Sequence, residues 1–154
     1  MPKWKMPPKA KVYEALSAIA DDRVEITDDT HAQVQSSERD KTYSLEWSAD
    51  FKSITSDDNA SYWQGYIGYP IIAVLMVLGR ITYREDLAAK LADVPWKRLN
   101  TKFKRDYDKA VDSVLADAEE KGADRSAIVE QAEEIYRQLG ALKLERKGPA
   151  PRRR

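Results

Sequence analysis

Cysteine is absent from this sequence of 154 residues. Its absence excludes a disulfide scaffold, a thiol nucleophile and cysteine-ligated zinc. Histidine occurs once, at His31, next to a stretch that reads as a turn. With no serine or cysteine elbow to pair with, it reads as surface decoration rather than a general base. HExxH, GxSxG, the phosphate-binding P-loop pattern and GxGxxG are all missing, so no familiar catalytic or dinucleotide signature is present and no cofactor is indicated. Charge of one sign is not in excess, since 26 Lys and Arg balance 26 Asp and Glu, and no global field draws the chain to nucleic acid or an anionic membrane. Long hydrophobic runs are missing too. The apolar string from Ile71 to Leu78 is far shorter than the roughly 20 residues that span a bilayer. The first residues carry lysines without the apolar stretch of a secretory signal. These absences together predict a soluble, cytoplasmic protein with no membrane partner.

An apolar content of 42% with 9% aromatics is that of a globular chain. We expect a single domain over residues 1–147 and a flexible basic tail over 148–154, Gly148-Pro149-Ala150-Pro151 followed by three arginines. Lys3, Lys5, Lys9 and Lys11 make the start basic, and Lys143, Arg146 and Lys147 do the same near the end.

Periodicity divides the chain into a short helix, a small sheet and a helical remainder. Val12, Leu16 and Ile19 recur at helical spacing after Pro8. Residues 23–26 and 31–37 read as strands around a turn at 27–30, and Tyr43, Leu45 and Trp47 alternate with Ser44 and Glu46 in a third. Residues 52–55 make a weaker strand. Short connections favour an antiparallel meander. Beyond Asp57 the period becomes helical. We expect helices over 59–68 and 70–78, divided by Pro70, with Gly79 as the stop. Thr82-Tyr83-Arg84-Glu85 reads as a capping box. Pro95 opens a long helix reaching 121, Gly122 ends it, and Asp124 caps a last helix carrying Ile128, Ala132, Ile135 and Leu139. The expected fold is α+β: a small antiparallel sheet of three or four strands in the N-terminal third, packed under a helical C-terminal two-thirds.

The segment from Asp57 to Pro70 is the richest in costly residues. On a helical wheel Tyr62, Trp63, Tyr66 and Tyr69 fall within about a third of the circle, while Ser61, Gly65 and Gly68 share a neighbouring arc. Each glycine in a helix costs roughly 1 kcal/mol relative to alanine, so close approach of another backbone or of a ligand must offset the loss. One reading makes this helix the central pillar. The other makes it a binding site on helix 59–70, with Tyr62, Trp63, Tyr66 and Tyr69 as its rings and Gln64 and Asp58 as polar contacts. Asp57 and Asp58 read as helix caps. As catalytic carboxylates they would support a carboxylate-dependent enzyme, but adjacent residues of an extended chain point oppositely and form no pair by themselves.

Along the helix expected over 95–121, Trp96, Leu99, Phe103 and Tyr107 share one face, and Lys97, Arg98, Lys102, Arg105 and Lys109 lie largely opposite. Rings buried on a core cannot stack on bases, so the pattern is that of an ordinary amphipathic helix whose basic side is free to meet phosphates. The leading functional reading is a non-enzymatic binding or interaction module of unknown ligand, compatible with a protein partner or a homo-oligomer. The alternative is a nucleic-acid-associated protein using the basic helix and the basic termini.

Overall fold

The computed structural model describes residues 3–146, so the expected tail over 148–154 lies outside the described residues. The fold is α+β, with a five-stranded sheet in the N-terminal part and helices beyond it. The strands are β1 (Val24–Asp28), β2 (His31–Gln35), β3 (Thr42–Trp47), β4 (Ser53–Ser56) and β5 (Glu145–Arg146), in that spatial order. The first four form the expected antiparallel meander. The sheet is nevertheless mixed rather than purely antiparallel, because β5 arrives from the far end of the chain and pairs parallel with β4. Two residues of strand give no readable alternation, and their partner is some ninety residues away in sequence.

Cross-strand register places Ala32 opposite Leu45, Val34 opposite Tyr43 and Trp47 opposite Ile54. Ala32, Val34, Leu45, Trp47 and Ile54 are all buried, as the alternation requires. Trp47 satisfies its indole N–H on the Asp29 carbonyl at 2.9 Å.

The helices are α1 (Ala10–Ala20), α2 (Tyr69–Val77), α3 (Glu85–Ala88), α4 (Trp96–Lys102), α5 (Tyr107–Glu120) and α6 (Arg125–Leu142). α2 is the central pillar. Pro70 sits in its first turn, where a missing N–H is harmless, and every residue from Pro70 to Met76 is buried. It lies against β1, β3 and β4 on one side and α1 on the other. α5 and α6 pack on α1 from beyond. Gly79 closes α2 at φ +75°, Gly122 follows α5 at φ +94°, and the Asp124 side chain caps α6 by accepting from the Ala127 N–H.

Three expectations are corrected. Residues 59–68 do not form an α-helix: a single π-helical turn covers Ala60–Gln64, and Gly65 ends it at φ +76°. The backbone then extends, with Lys5 N donating to the Gly65 carbonyl at 3.2 Å and Ile67 N donating to Lys5 at 3.0 Å. The hydrogen bonds that a helix would keep to itself are taken by the N-terminal segment. The helix expected over 95–121 is broken in two, because Lys104 and Arg105 both adopt positive φ and the Asp106 side chain caps a new helix on the Lys109 N–H. The residues of Thr82–Glu85 make no capping box, since α3 begins at Glu85 and Thr82 instead donates its N–H and hydroxyl to Gln138.

Candidate functional site

The break between α4 and α5 creates a cleft of about 550 Å³. One wall is α4 with the first residue of α5, contributing Trp96, Lys97, Asn100 and Tyr107. The other wall holds Tyr43 of β3, Tyr69 at the start of α2, and the β2–β3 connection with Ser36, Asp40 and Lys41. Glu14 of α1 and Arg23, which follows α1, complete the lining.

Two of these groups are charged and deeply buried. Glu14 is 5% exposed and Arg23 is 3% exposed. Burying a charge is expensive unless it is fully paired and hydrogen-bonded. Neither has every polar atom hydrogen-bonded. Glu14 has a buried ion-pair partner, Lys11, whose Nζ stands 3.0 Å from Oε2 without a well-directed hydrogen bond to that oxygen. Burial pushes the Glu14 carboxyl up, against the opposing pull of Lys11 and Arg23 and an Asn100 hydrogen bond. Arg23 donates from Nη1 to the Gln35 carbonyl at 2.9 Å, and its guanidinium lies 5.9 Å from the centre of the Tyr69 ring. Its Nε has no hydrogen-bond partner and meets Asp21 Oδ2 only at 3.7 Å.

The ring residues are equally telling. Tyr43 and Tyr69 meet edge to face with centroids 6.4 Å apart. Burial raises both phenols above their ordinary value, that of Tyr69 strongly. Trp96 is 2% exposed and donates its indole N–H to Ser17 Oγ at 2.8 Å, which passes the bond on to the Leu91 carbonyl.

The rim is cationic. Lys97 is paired with Asp40 at 3.3 Å. Lys41, Lys104 and Arg105 line the same cleft, and none of the three is in an ion pair with a carboxylate among the described residues. Lys104 and Arg105 hold φ of +52° and +65°, a left-handed conformation that side chains with a Cβ rarely adopt. The turn is held by Lys104 N on the Thr101 carbonyl and Arg105 N on the Asn100 carbonyl at 3.1 and 2.8 Å.

The aromatic site expected on helix 59–70 is not assembled as a helical face. Tyr69 lines the cleft, and Asn59 joins it there. Tyr62 and Trp63 pack edge to face with each other at 4.6 Å. Gln64 is exposed, and Tyr66 is bridged to Lys5. Asp58 is a structural group, 4% exposed, accepting from Ser56 Oγ at 2.5 Å and from the Ser61 N–H at 3.1 Å. Gly68 is required there because an added Cβ would stand 2.2 Å from Asp58 Oδ2 and 2.8 Å from Ser61 Oγ. Asp57 accepts from the Ser44 N–H at 2.8 Å, so the two adjacent carboxylates serve two different backbones. Of the basic residues, Lys97 and Arg105 reach the cleft; Arg98 lines a separate hollow, Lys102 sits over the Phe103 ring, and Lys109 lies 3.9 Å from Asp106.

Glu14, Arg23, Lys104 and Tyr107 are the residues that sequence reasoning missed. Glu14 lies opposite the Val12, Leu16 and Ile19 stripe of α1, so helical period gave no signal that it would be buried. Among the described residues, no group of three or more His, Asp or Glu side chains is placed to hold a metal ion, and no helix is long and apolar enough to cross a membrane. A protein-family model described as uncharacterised conserved protein UCP014422 matches residues 4–145. No curated protein and no solved structure matches the chain.

Proposed function

The chain belongs to the family of uncharacterised conserved protein UCP014422, a membership that brings no activity with it, and we propose from its geometry that it is a non-enzymatic binding module whose site is the cleft between α4–α5 and the sheet. Its ligand is a small anionic molecule that carries at least one ring. One observation carries the reading: two buried charged groups with an atom left out of hydrogen bonding, Glu14 and Arg23, meet at one cavity that Tyr43, Tyr69 and Tyr107 also line. A fold that served stability alone would satisfy the Glu14 and Arg23 atoms internally. The volume falls within the roughly 300–1,000 Å³ of small-molecule sites. The unpaired rim cations set the sign of the ligand's charge. A cytoplasmic location fits a chain without cysteine.

A panel of ring-bearing carboxylates and phosphates, followed by backbone amide NMR of the intact chain, tests this. We expect at least one compound to shift the resonances of Tyr43, Tyr69, Asn100 and Arg105 together and saturably. Shifts confined to other surfaces, or none, would overturn the assignment.

The nucleic-acid reading keeps one supporting observation, that Lys97 and Arg105 share the rim with Lys104 and Lys41. It requires affinity that falls steeply with salt and weakens when Lys102 and Arg105 are replaced. Absence of retention on a heparin or DNA column at low salt removes it.

A further inference from the structure

Resting on the cleft as the binding site, we infer that its ligand is a free nucleoside phosphate, with the phosphate at the Lys41, Lys104 and Arg105 rim and the base between the Tyr43–Tyr69 wall and Tyr107.

The rim argues for phosphate over a single carboxylate. Lys41, Lys104 and Arg105 are exposed, line one cleft and have no ion pair with a carboxylate among the described residues, and a group carrying more than one negative charge offers a partner to more than one of them. Two of the three are held in left-handed backbone, a cost the fold sustains on consecutive residues in the turn that faces the cleft. Asp40 does not offset the rim, because Lys97 already neutralises it.

The walls and floor argue for a base over a plain apolar ring. The Tyr43–Tyr69 pair and Tyr107 all line the cleft, and Lys11 Nζ lies 4.7 Å from the centre of the Tyr107 ring. Stacking on such side chains is open to every base. The floor beneath them is polar rather than apolar. Asn100 and Glu14 form one hydrogen-bonded unit, and Asn100 itself lines the cleft. The Asn100 amide brings a donor and an acceptor to the cleft, which suits the edge of a base and is wasted on a phenyl ring. Arg23, Trp96 and the Lys97–Asp40 pair complete the lining.

The test is calorimetric titration of the intact chain with the four common nucleoside 5′-monophosphates. Comparison ligands are the matching nucleosides, ribose 5-phosphate, phenyl phosphate and a ten-nucleotide single strand. We expect one monophosphate to bind about 10-fold or more tighter than both its nucleoside and ribose 5-phosphate, since each lacks one of the two recognised parts. The double variant Lys104→Gly/Arg105→Gly is expected to lose about 10-fold or more in affinity while its melting temperature is not lowered, because glycine relieves the left-handed strain. Equal affinity for ribose 5-phosphate overturns the base contact. Phenyl phosphate binding as well as any nucleotide overturns the nucleotide but leaves a ring-bearing anion in the cleft. Binding of the single strand without any monophosphate overturns it in favour of the nucleic-acid reading. No binding by any of these ligands removes the nucleotide, and if the wider panel of ring-bearing anions also leaves the cleft unperturbed the site itself falls with it.

Discussion

Asp58 and Glu14 are both carboxylates taken out of water, 4% and 5% exposed, and burial raises the proton affinity of each. The molecule treats them in opposite ways. Around Asp58 every contact is local and complete: the Ser56 hydroxyl and the Ser61 N–H hold its two oxygens, and Gly68 supplies the space. Its partners lie within ten residues, so the group locks the π turn to the start of α2. Glu14 meets Lys11 of its own helix, Asn100 of α4 and Arg23 just after α1, and still leaves Oε2 without a well-directed hydrogen bond. A finished polar cluster stabilises a fold. An unfinished one beside a cavity marks a place where the fold accepts a cost for something else.

The comparison breaks or sharpens under four measurements. Trp47→Ala sets the scale, because Trp47 is 3% exposed on the sheet's inner face: the loss should be about 3–5 kcal/mol in urea unfolding. Less than about 1 kcal/mol would mean that the sheet face is not core.

Around Asp58, Gly68→Ala and Asp58→Asn should each cost about 1–3 kcal/mol, the first by forcing a Cβ against Asp58 Oδ2 and the second by spoiling a satisfied buried acceptor. Because both act on one cluster, the double variant should cost less than the sum. Strict additivity would show that Gly68 and Asp58 are not one unit.

Gly65→Ala should cost about 1 kcal/mol, because of its φ of +76°, with only the Arg146 side chain close to a new Cβ. Ser61, Gly65 and Gly68 are therefore no continuous stripe against another backbone. A stabilised Gly65→Ala would mean that the left-handed turn is not formed.

Glu14→Gln should have the smallest effect at neutral pH, about 1 kcal/mol or less, and the most informative pH dependence. The folded carboxyl is raised above its ordinary value, so the folded state holds the proton more tightly than the unfolded chain does. Stability from this group is then full below the ordinary carboxylate range and is lost as pH rises through the raised folded value. Chemical denaturation from about pH 4 to 8 should show that decline in the parent and a shallower one in Glu14→Gln. An unchanged slope, or a loss as large as that of Trp47→Ala, would make Glu14 a structural ion pair like any other.

Several parts of the architecture were legible because their causes are local. Alternation at Tyr43, Leu45 and Trp47 follows from the two-residue period of a strand. The stop at Gly79, the break at Gly122 and the cap at Asp124 follow from backbone chemistry within four residues. The wheel drawn over 59–68 failed because its backbone hydrogen bonds go to Lys5, some sixty residues away, and no helical period reports that competition. The long helix failed although Asp106 is a readable cap. The stripe from Trp96 to Ala118 is continuous in period yet packs on different neighbours, α4 against α5 and α5 against α1 and α6.

The sequence by itself determined the class of the object: an α+β chain without cysteine chemistry or a catalytic signature, with an apolar segment after Pro70 that had to be buried. Those properties are sums over residues or depend on neighbours a turn away. Only the tertiary structure decided which charged residues meet. Glu14, Arg23, Tyr43, Tyr69, Asn100 and Arg105 come from five different stretches, and each taken alone is an ordinary helix, strand or turn residue. What distinguishes Glu14 and Arg23 among them is the loss of water around unfinished hydrogen bonds, and desolvation is a property of the packed molecule that no segment possesses before it folds.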